Sequence, residues 1–378
     1  MKRIYLDNAA TTPLDPAVIA AMLDVMQTQP GNPSSIHAEG RQARTIIEQA
    51  RRTVARHLKA SIGEIFFTSG GTEANNMALK GAVRDLGVRR IISAPTEHHC
   101  VLHSLERIGR ERADVTIVHV NLDQQGSPDL GHLEELLADH TLPTLVSLMH
   151  ANNEIGTLVD LTAVGELCRA HGAYFHSDTV QTIGFYPIDV STTPIHFLSG
   201  SAHKFHGPKG VGFIYINSDH QIQPFIDGGA QERNMRGGTE NTYGIAGLAK
   251  ALELAGLEQA SRATHMRSLR THLRNELLAF FPEVAFSGDV DNGHYKLLNL
   301  RFPPTAKTEL LLFNLDIAGI SVSGGSACSS GTDTGSHVIR ALYGDADDAV
   351  NIRVSFSHLN TLAEVDQLLA VLRQVMDR

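Results

Sequence analysis

Ala173-Tyr174-Phe175-His176-Ser177-Asp178-Thr179-Val180-Gln181 is the stretch on which the fold turns. A short run built on Tyr174 and Phe175 ends on an acid. The segment just before it, residues 161–171, has helical character and is closed by Gly172. Helix, glycine, strand and polar strand end form the repeating unit of a parallel sheet, because each crossover needs a helix-sized connection. Similar short apolar runs lie at 64–68, 90–94, 115–120, 144–149, 196–200 and 211–216, several of them separated by helical segments.

Toward the N-terminus, Asp15-Pro16 reads as an N-cap and first helical residue, with Val18, Ile19, Met22, Leu23 and Met26 on one face. A second amphipathic run carries Ala43, Ile46, Ile47, Ala50, Val54 and Leu58. Past about residue 256 the character changes. A long polar helix precedes strand-like segments at 297–302 and 350–356, with a Ser/Gly-rich stretch between them. The last helix opens with Thr361 and Glu364 as a capping box and carries Leu362, Val365, Leu368, Leu369, Leu372 and Val375 as its stripe. The expected class is α/β: a large domain with a mainly parallel sheet flanked by helices, plus a smaller α+β C-terminal domain.

Composition sets outer limits. The 378 residues suit two or three lobes, and 42% apolar with 19% charged residues suits a globular enzyme rather than a disordered chain. Lys and Arg total 32 against 41 Asp and Glu, a net charge of −9, so no global basic field for direct nucleic-acid binding exists. The cysteines at 100, 168 and 328 are too few and scattered for a disulfide framework. No stretch approaches the roughly 18 apolar residues of a membrane span, and the first residues lack a signal-peptide core. The expectation is a cytoplasmic protein with free thiols and no membrane partner.

Parallel sheets place ligands at the carboxyl ends of their strands. There, Ser69-Gly70-Gly71-Thr72 before a helix offers backbone N–H groups and a helix N-terminus to an anion, although such a pair of glycines is more often a tight turn. Asp178 closes an apolar strand, where a carboxylate needs a partner; a helix N-cap is the plainer reading. Ser201-Ala202-His203-Lys204 offers an amine suited to Schiff-base chemistry or a solvated loop lysine, with Lys209 as rival. His98, in Thr96-Glu97-His98-His99-Cys100, is an acid/base candidate or a polar group facing water. Together a phosphate cradle, an acid, an amine, a hydroxyl and an imidazole match pyridoxal 5'-phosphate, whose phosphate, ring nitrogen and aldehyde each need one of them.

Tyr5-Leu6-Asp7-Asn8-Ala9-Ala10-Thr11-Thr12-Pro13, Gly31-Asn32-Pro33-Ser34-Ser35, Ser201-Ala202-His203-Lys204 and Ser323-Gly324-Gly325-Ser326-Ala327-Cys328 closely resemble the cysteine desulfurases of the NifS/IscS type, fold type I enzymes of the class V aminotransferase group. The resemblance runs from about Tyr5 to the final helix. It implies a large pyridoxal-phosphate-binding domain with a seven-stranded mixed sheet over residues 13–256. Residues 1–12 and 257–378 would form the small domain, with a mobile catalytic-cysteine loop at about 321–336.

Position by position, the resemblance makes Lys204 the residue that holds the cofactor covalently and later moves the α-proton. Asp178 would pair with the ring nitrogen, Gln181 would hydrogen-bond the ring hydroxyl, and His98 would stack on the ring and assist proton transfer. Gly71, Thr72, Ser201 and His203 would hold the phosphate, with Thr239 reaching it from the other subunit of a homodimer. Asn32, Asn153 and Arg353 would bind the substrate carboxylate. Gly71 stands where many relatives have alanine, a change expected to leave the phosphate site intact.

From Ser321 to Ser336, every residue except Val322, Ala327, Cys328 and Asp333 is Ser, Gly or Thr. So few apolar anchors predict a mobile surface loop. Isolated cysteines are usually buried and inert, so Cys328 in such a loop reads as a thiol that travels. It would take sulfur from L-cysteine, leave L-alanine, and pass its persulfide to an iron–sulfur scaffold or a tRNA-thiolation protein. A free thiol has a pKa of about 8.5, so the attack needs a proton acceptor, expected to be His98 or a substrate group. The chain stops soon after the last helix, and an acceptor docking through a longer tail is not expected. Cys168 reads as core. His99 and His103, with Cys100 between them, superficially suggest a metal site, but a fourth ligand is not evident, and no metal is expected. Rival readings are selenocysteine lyase, a plain aminotransferase with no use for a travelling thiol, and a non-catalytic partner-binding relative.

Overall fold

The computed structural model describes residues 3–324 and 335–377. Cys328 and the central part of the Ser/Gly-rich stretch lie outside the described residues. β1 (Ile4–Tyr5) begins the chain, followed by helices α1 (Pro16–Thr28) and α2 (Ala38–Leu58). The main sheet comprises β2 (Ile65–Thr68), β3 (Arg90–Ser93), β4 (Thr116–His119), β5 (Thr144–Ser147), β6 (Tyr174–Asp178), β7 (Phe197–Ser201) and β8 (Gly212–Ile216). Its order is β2-β8-β7-β6-β5-β3-β4, and β8 alone runs against its neighbours. The seven apolar runs of the sequence are these seven strands, so the mainly parallel mixed sheet stands as expected.

Helices cover both faces of this sheet, which is why the strands read as nearly continuous apolar runs. Strand alternation divides the core. Ile91 and Leu145 face α3 (Gly71–Asp85) and α4 (His99–Glu111), packing with Leu79, Val83, Val101 and Leu105. Their neighbours Ile92 and Val146 face the other side, in one core with Ile47 and Val54 of α2. Helix α5 (Leu130–Leu137), helix α6 (Leu161–Ala170) with its buried Cys168, and α7 (Thr242–Leu257) complete that side. Cys168 is core, as its pattern suggested.

Helix α8 (Gln259–Phe280) leads into an antiparallel sheet in which β10 (Leu297–Phe302) lies between β9 (Ala285–Ser287) and β12 (Val350–Ser355). β1 pairs in parallel with β11 (Ile320–Ser321), which joins the N-terminal residues to this C-terminal layer. Ser321 is thus strand, and Ser323 pairs with Arg353, because Ile320 and Val322 anchor the start of the stretch read as loop. The terminal helix, Leu362–Asp377, has its capping box: the Glu364 carboxylate accepts from Thr361 N–H at 3.0 Å.

One helix face differs from its sequence reading. Asp15 caps α1 by accepting from Ala17 N–H, but only Val18 and Val25 are buried, with Met22 half-buried against α7. Ile19, Leu23 and Met26 are 42%, 48% and 49% exposed. Periodicity marked one broad stripe, but α7 is wide enough to cover only the row at 18, 22 and 25.

The free edge of β2 is closed by charge. Arg51 of α2 donates from both terminal nitrogens to Glu232, at 2.7 and 2.9 Å, and from Nη1 to the Ile65 carbonyl. Glu232 also accepts from the Phe67 N–H at 2.7 Å. Both side chains are 2% exposed. Glu232 sits at φ 46°, a left-handed conformation that costs an L-residue energy and persists because this pair fixes it. Arg51→Met keeps the aliphatic volume but strands the carboxylate, so unfolding free energy should fall by about 3–5 kcal/mol. Denaturant titration checks this, and the double variant Arg51→Met/Glu232→Gln should recover most of the loss.

Candidate active site

The strand ends converge on a cavity of about 250 Å³. β6 delivers Asp178. β7 delivers Ser201 and, through one 3-10 turn, His203 and Lys204. The turn after β2 delivers Gly71 and Thr72 at the N-terminus of α3, with Gly70 at φ 155°. Beyond β3, His98 caps α4, and beyond β5 comes Asn153. Gln181 completes the set of nine expected residues that the fold brings together here.

Lys204 Nζ donates to the carbonyls of Ala9 and Ala10, each at 2.8 Å, so the Ala-Ala of the N-terminal motif forms part of the wall. Gln181 donates from Nε2 to the Ala9 carbonyl at 3.0 Å, which turns Oε1 away; among the described residues that buried oxygen has no partner. Among the described residues every hydrogen bond to Asp178 is a donation: Asn75 Nδ2 at 2.7 Å, Val180 N–H at 3.0 Å and Ser199 Oγ at 3.3 Å.

Two imidazoles in the wall are held neutral. His98 accepts the Cys100 N–H at Nδ1, 3.1 Å, which leaves its proton on Nε2; burial, and next to it the Lys204 charge, lower its pKa against the pull of Asp178. His203 is pushed down to about 3 by burial and by Lys204, and its Nδ1 lies 3.1 Å from the Thr11 hydroxyl. Glu97, behind the wall, is fully buried and accepts from Met149 N–H at 2.6 Å; burial, with the Asp178 charge beside it, pushes its pKa well above its ordinary value.

Several expected residues stand elsewhere. Arg353 is 1% exposed but does not line the cavity; its Nη2 pairs with Asp7 at 2.8 Å and its Nη1 donates to the Asn153 carbonyl at 2.7 Å. Thr239 lines a separate cavity of about 210 Å³ with Arg236 and Glu232. Asn32 is exposed, its Oδ1 accepting from Ser34 N–H. At Gly71, an added Cβ would stand 2.4 Å from Val180 Cγ2, so alanine there requires the valine to turn.

Sequence reasoning missed Asn75 and left Cys100 open. Asn75 lies one helical turn past Gly71 of the cradle, and that spacing is the available signal. Cys100 lines the cavity, receives Asn75 Nδ2 at 3.3 Å and is pushed up to about 12 by burial and by Asp178, so it stays a thiol. His99 stacks on His103 with ring centroids 5.2 Å apart, and among the described residues no group is arranged to hold a metal ion.

The donor set fits pyridoxal phosphate. A lone pair without a partner on Gln181 suits a ring hydroxyl, and an acceptor-only Asp178 suits a protonated ring nitrogen. Neutral imidazoles beside a helix N-terminus suit a phosphate. Fold and site therefore define an α/β enzyme of the kind that binds this cofactor at its strand ends. The chain belongs to the aminotransferase class-V family, whose model matches residues 4–368 and whose members depend on pyridoxal phosphate. It is 41% identical over 385 aligned residues to a cysteine desulfurase IscS of Dictyoglomus turgidum, covering 100% of this chain and 96% of that one. It is 40% identical over 380 residues to a cysteine desulfurase IscS of Clostridium botulinum, covering 99% and 94%. A solved NifS-like protein superposes with a TM-score of 0.91 at 35% identity over 99% of both chains.

Proposed function

We infer that the chain is a pyridoxal-phosphate-dependent cysteine desulfurase, converting L-cysteine to L-alanine and an enzyme-bound sulfur. One observation carries the reading: Lys204, Asp178, Gln181, His98 and the Gly71–Thr72 cradle meet in one cavity, on a chain about 40% identical over its full length to named cysteine desulfurases. When bound, the cofactor supplies an electron sink for the charge left at the substrate α-carbon.

The residues divide the work. Lys204 would hold the cofactor through Nζ, and the same atom would take the substrate α-proton. Asp178 would accept from the ring nitrogen and Gln181 Oε1 from the ring hydroxyl. Gly71 and Thr72, with Ser201 and His203, receive the phosphate. His98 would cover the ring; its proton is on Nε2, so it would act first as a donor and accept a proton only after giving that one up. Arg353, with Asn153 and Asn32, receives the substrate carboxylate. Arg353 already spends one nitrogen on Asp7, and its Nε is buried without a partner among the described residues. Cys328, outside the described residues, attacks the substrate sulfur as thiolate; an S–S bond forms, the substrate C–S bond breaks, and alanine leaves.

The working unit proposed is a homodimer with a shared site. Its support is that Thr239 and Asn32 stand away from the cavity of their own chain, and that Ile19, Leu23 and Met26 form an uncovered apolar row. The sulfur acceptor proposed is an iron–sulfur scaffold, or else a tRNA-thiolation protein. The proposed division into a large domain at 13–256 and a small domain at 1–12 plus 257–378 is supported by the β1–β11 pairing. Among the described residues no helix is long and apolar enough to cross a membrane, and a cytoplasmic location is proposed from the unpaired cysteines.

Incubation with L-cysteine should yield alanine and a protein mass greater by one sulfur atom. Cys328→Ser should still bind L-cysteine, as seen in its visible spectrum, yet gain no sulfur and release no sulfide under reductant. Undiminished alanine and sulfide from that variant would overturn the persulfide step.

A further inference from the structure

Behind Asp178 lies a chain of buried polar groups that the reaction has not yet used. Ser147 ends β5 and is the register partner of His176 on β6, two residues from Asp178 and on the same strand face. Ser147 Oγ lies 2.9 Å from His176 Nδ1, and His176 Nε2 lies 3.1 Å from Asn75 Oδ1. Asn75 Nδ2 in turn reaches Asp178 Oδ2 at 2.7 Å. Ser147, His176 and Asn75 are all 0% exposed. Water cannot substitute for a missing link, so each must satisfy the next.

The direction of this chain is fixed by elimination. Asn75 has two acceptors on one side, Asp178 Oδ2 and Cys100 Sγ at 3.3 Å, so its NH₂ faces them and its oxygen faces His176. His176 must then donate from Nε2. Burial pushes its pKa down to about 4, against the pull of Asp178, so the ring is neutral and Nδ1 is an acceptor. The Ser147 hydroxyl is left to donate to it. Every hydrogen therefore points toward Asp178: Ser147 to His176, His176 to Asn75, Asn75 to the carboxylate.

We propose that Asn75, oriented by His176 and Ser147, is a positioning residue that keeps Asp178 an aligned, acceptor-only carboxylate and so holds the proton on the cofactor's ring nitrogen. This rests on the assignment of Asp178 to that nitrogen. Val180 N–H and Ser199 Oγ bind Oδ1, so Asn75 is the sole donor to Oδ2 among the described residues. A hydrogen bond to a charged group that cannot be replaced by water is worth a binding change of about 10- to 100-fold.

The test reconstitutes apo-protein with ring-¹⁵N-labelled pyridoxal phosphate and follows the nitrogen shift by NMR across pH, together with the cofactor dissociation constant. Asn75→Leu should weaken cofactor binding about 10- to 100-fold and lower by 1–2 units the pH at which the ring nitrogen loses its proton. His176→Leu should move the same shift in the same direction, whereas His176→Gln, which keeps a donor near Nε2, should restore it. Should Asn75→Leu fail to take up cofactor, the two His176 variants decide alone. Asp178→Asn separates the two levels. If it leaves the ring nitrogen protonated as in the parent, the Asp178 assignment itself fails. If it deprotonates the ring while Asn75→Leu and His176→Leu do not, the hydrogen-bond chain is overturned and the assignment stands.

Discussion

Lys204→Ala is expected to give a folded protein that takes up no cofactor covalently and produces no measurable alanine from L-cysteine. Lys204 Nζ sits between the Ala9 and Ala10 carbonyls, in the same wall as Asp178 and His98, where an amine can reach a group held across the strand ends. Its removal deletes both the covalent anchor and the base for the α-proton. The lost proton transfer alone should cost about 10²–10⁴-fold in turnover. Borohydride reduction of the parent enzyme, which makes the lysine–cofactor bond permanent, should place the label on the peptide bearing Lys204, and the variant should carry none. Lys209 is the alternative by sequence, but it is exposed and lies outside the cavity lining. Label on Lys209, or a variant as yellow as the parent, would reverse the assignment.

That lysine stands one 3-10 turn past a strand, and strand ends are where sequence speaks most plainly. Each of the seven apolar runs became a strand to within two residues, and position marked Asp178, Ser201 and Lys204 as candidates at strand ends, while the resemblance chose Lys204 over Lys209. What the sequence could not give was direction and partner. Nothing in 211–216 marks β8 as the one strand running against its neighbours, since strand direction depends on how its connection crosses the sheet. Ile19, Leu23 and Met26 look as apolar as Val18 and Val25, and only the width of α7 separates the two rows. The Arg51–Glu232 lock joins residues 181 positions apart, and neither has a local pattern that points to the other. Asn75 was hidden for the same reason: its role is set by His176, which reaches it from another element. Arg353 was named through the resemblance, and its ion pair with Asp7 depends on β1, β11 and β12 coming together from the two ends of the chain.

Histidine burial makes the fold sensitive to acid, and the sign follows from the ionisations. His150 and His176 are pushed down to about 4 and His206 to about 3, in each case mainly by burial. Asp160 works against the shift at His150 and Asp178 works against it at His176, whereas His358, Lys296 and Arg262 reinforce it at His206. In the unfolded chain each would titrate near its ordinary value of about 6.5. The folded state therefore binds fewer protons than the unfolded one between those values. Stability is full above about pH 6.5 and declines as pH falls, by about 1.4 kcal/mol per pH unit for each such group, until the folded values are reached. Urea midpoints measured from pH 7.5 to 4.5 should thus fall with increasing slope below 6.5, and His206→Gln, which removes one ionisation, should flatten that slope by one group's share. Within the fold His176 gains its proton only near pH 4; it then turns from a ring that accepts at Nδ1 into one that donates from both nitrogens, leaving the Ser147 hydroxyl with no acceptor there. Cofactor grip should therefore hold over the upper part of the acid limb, where stability already declines, and weaken only toward pH 4; a dissociation constant that rises in step with the loss of stability from about pH 6.5 would show that His176 takes its proton in the fold at a higher pH.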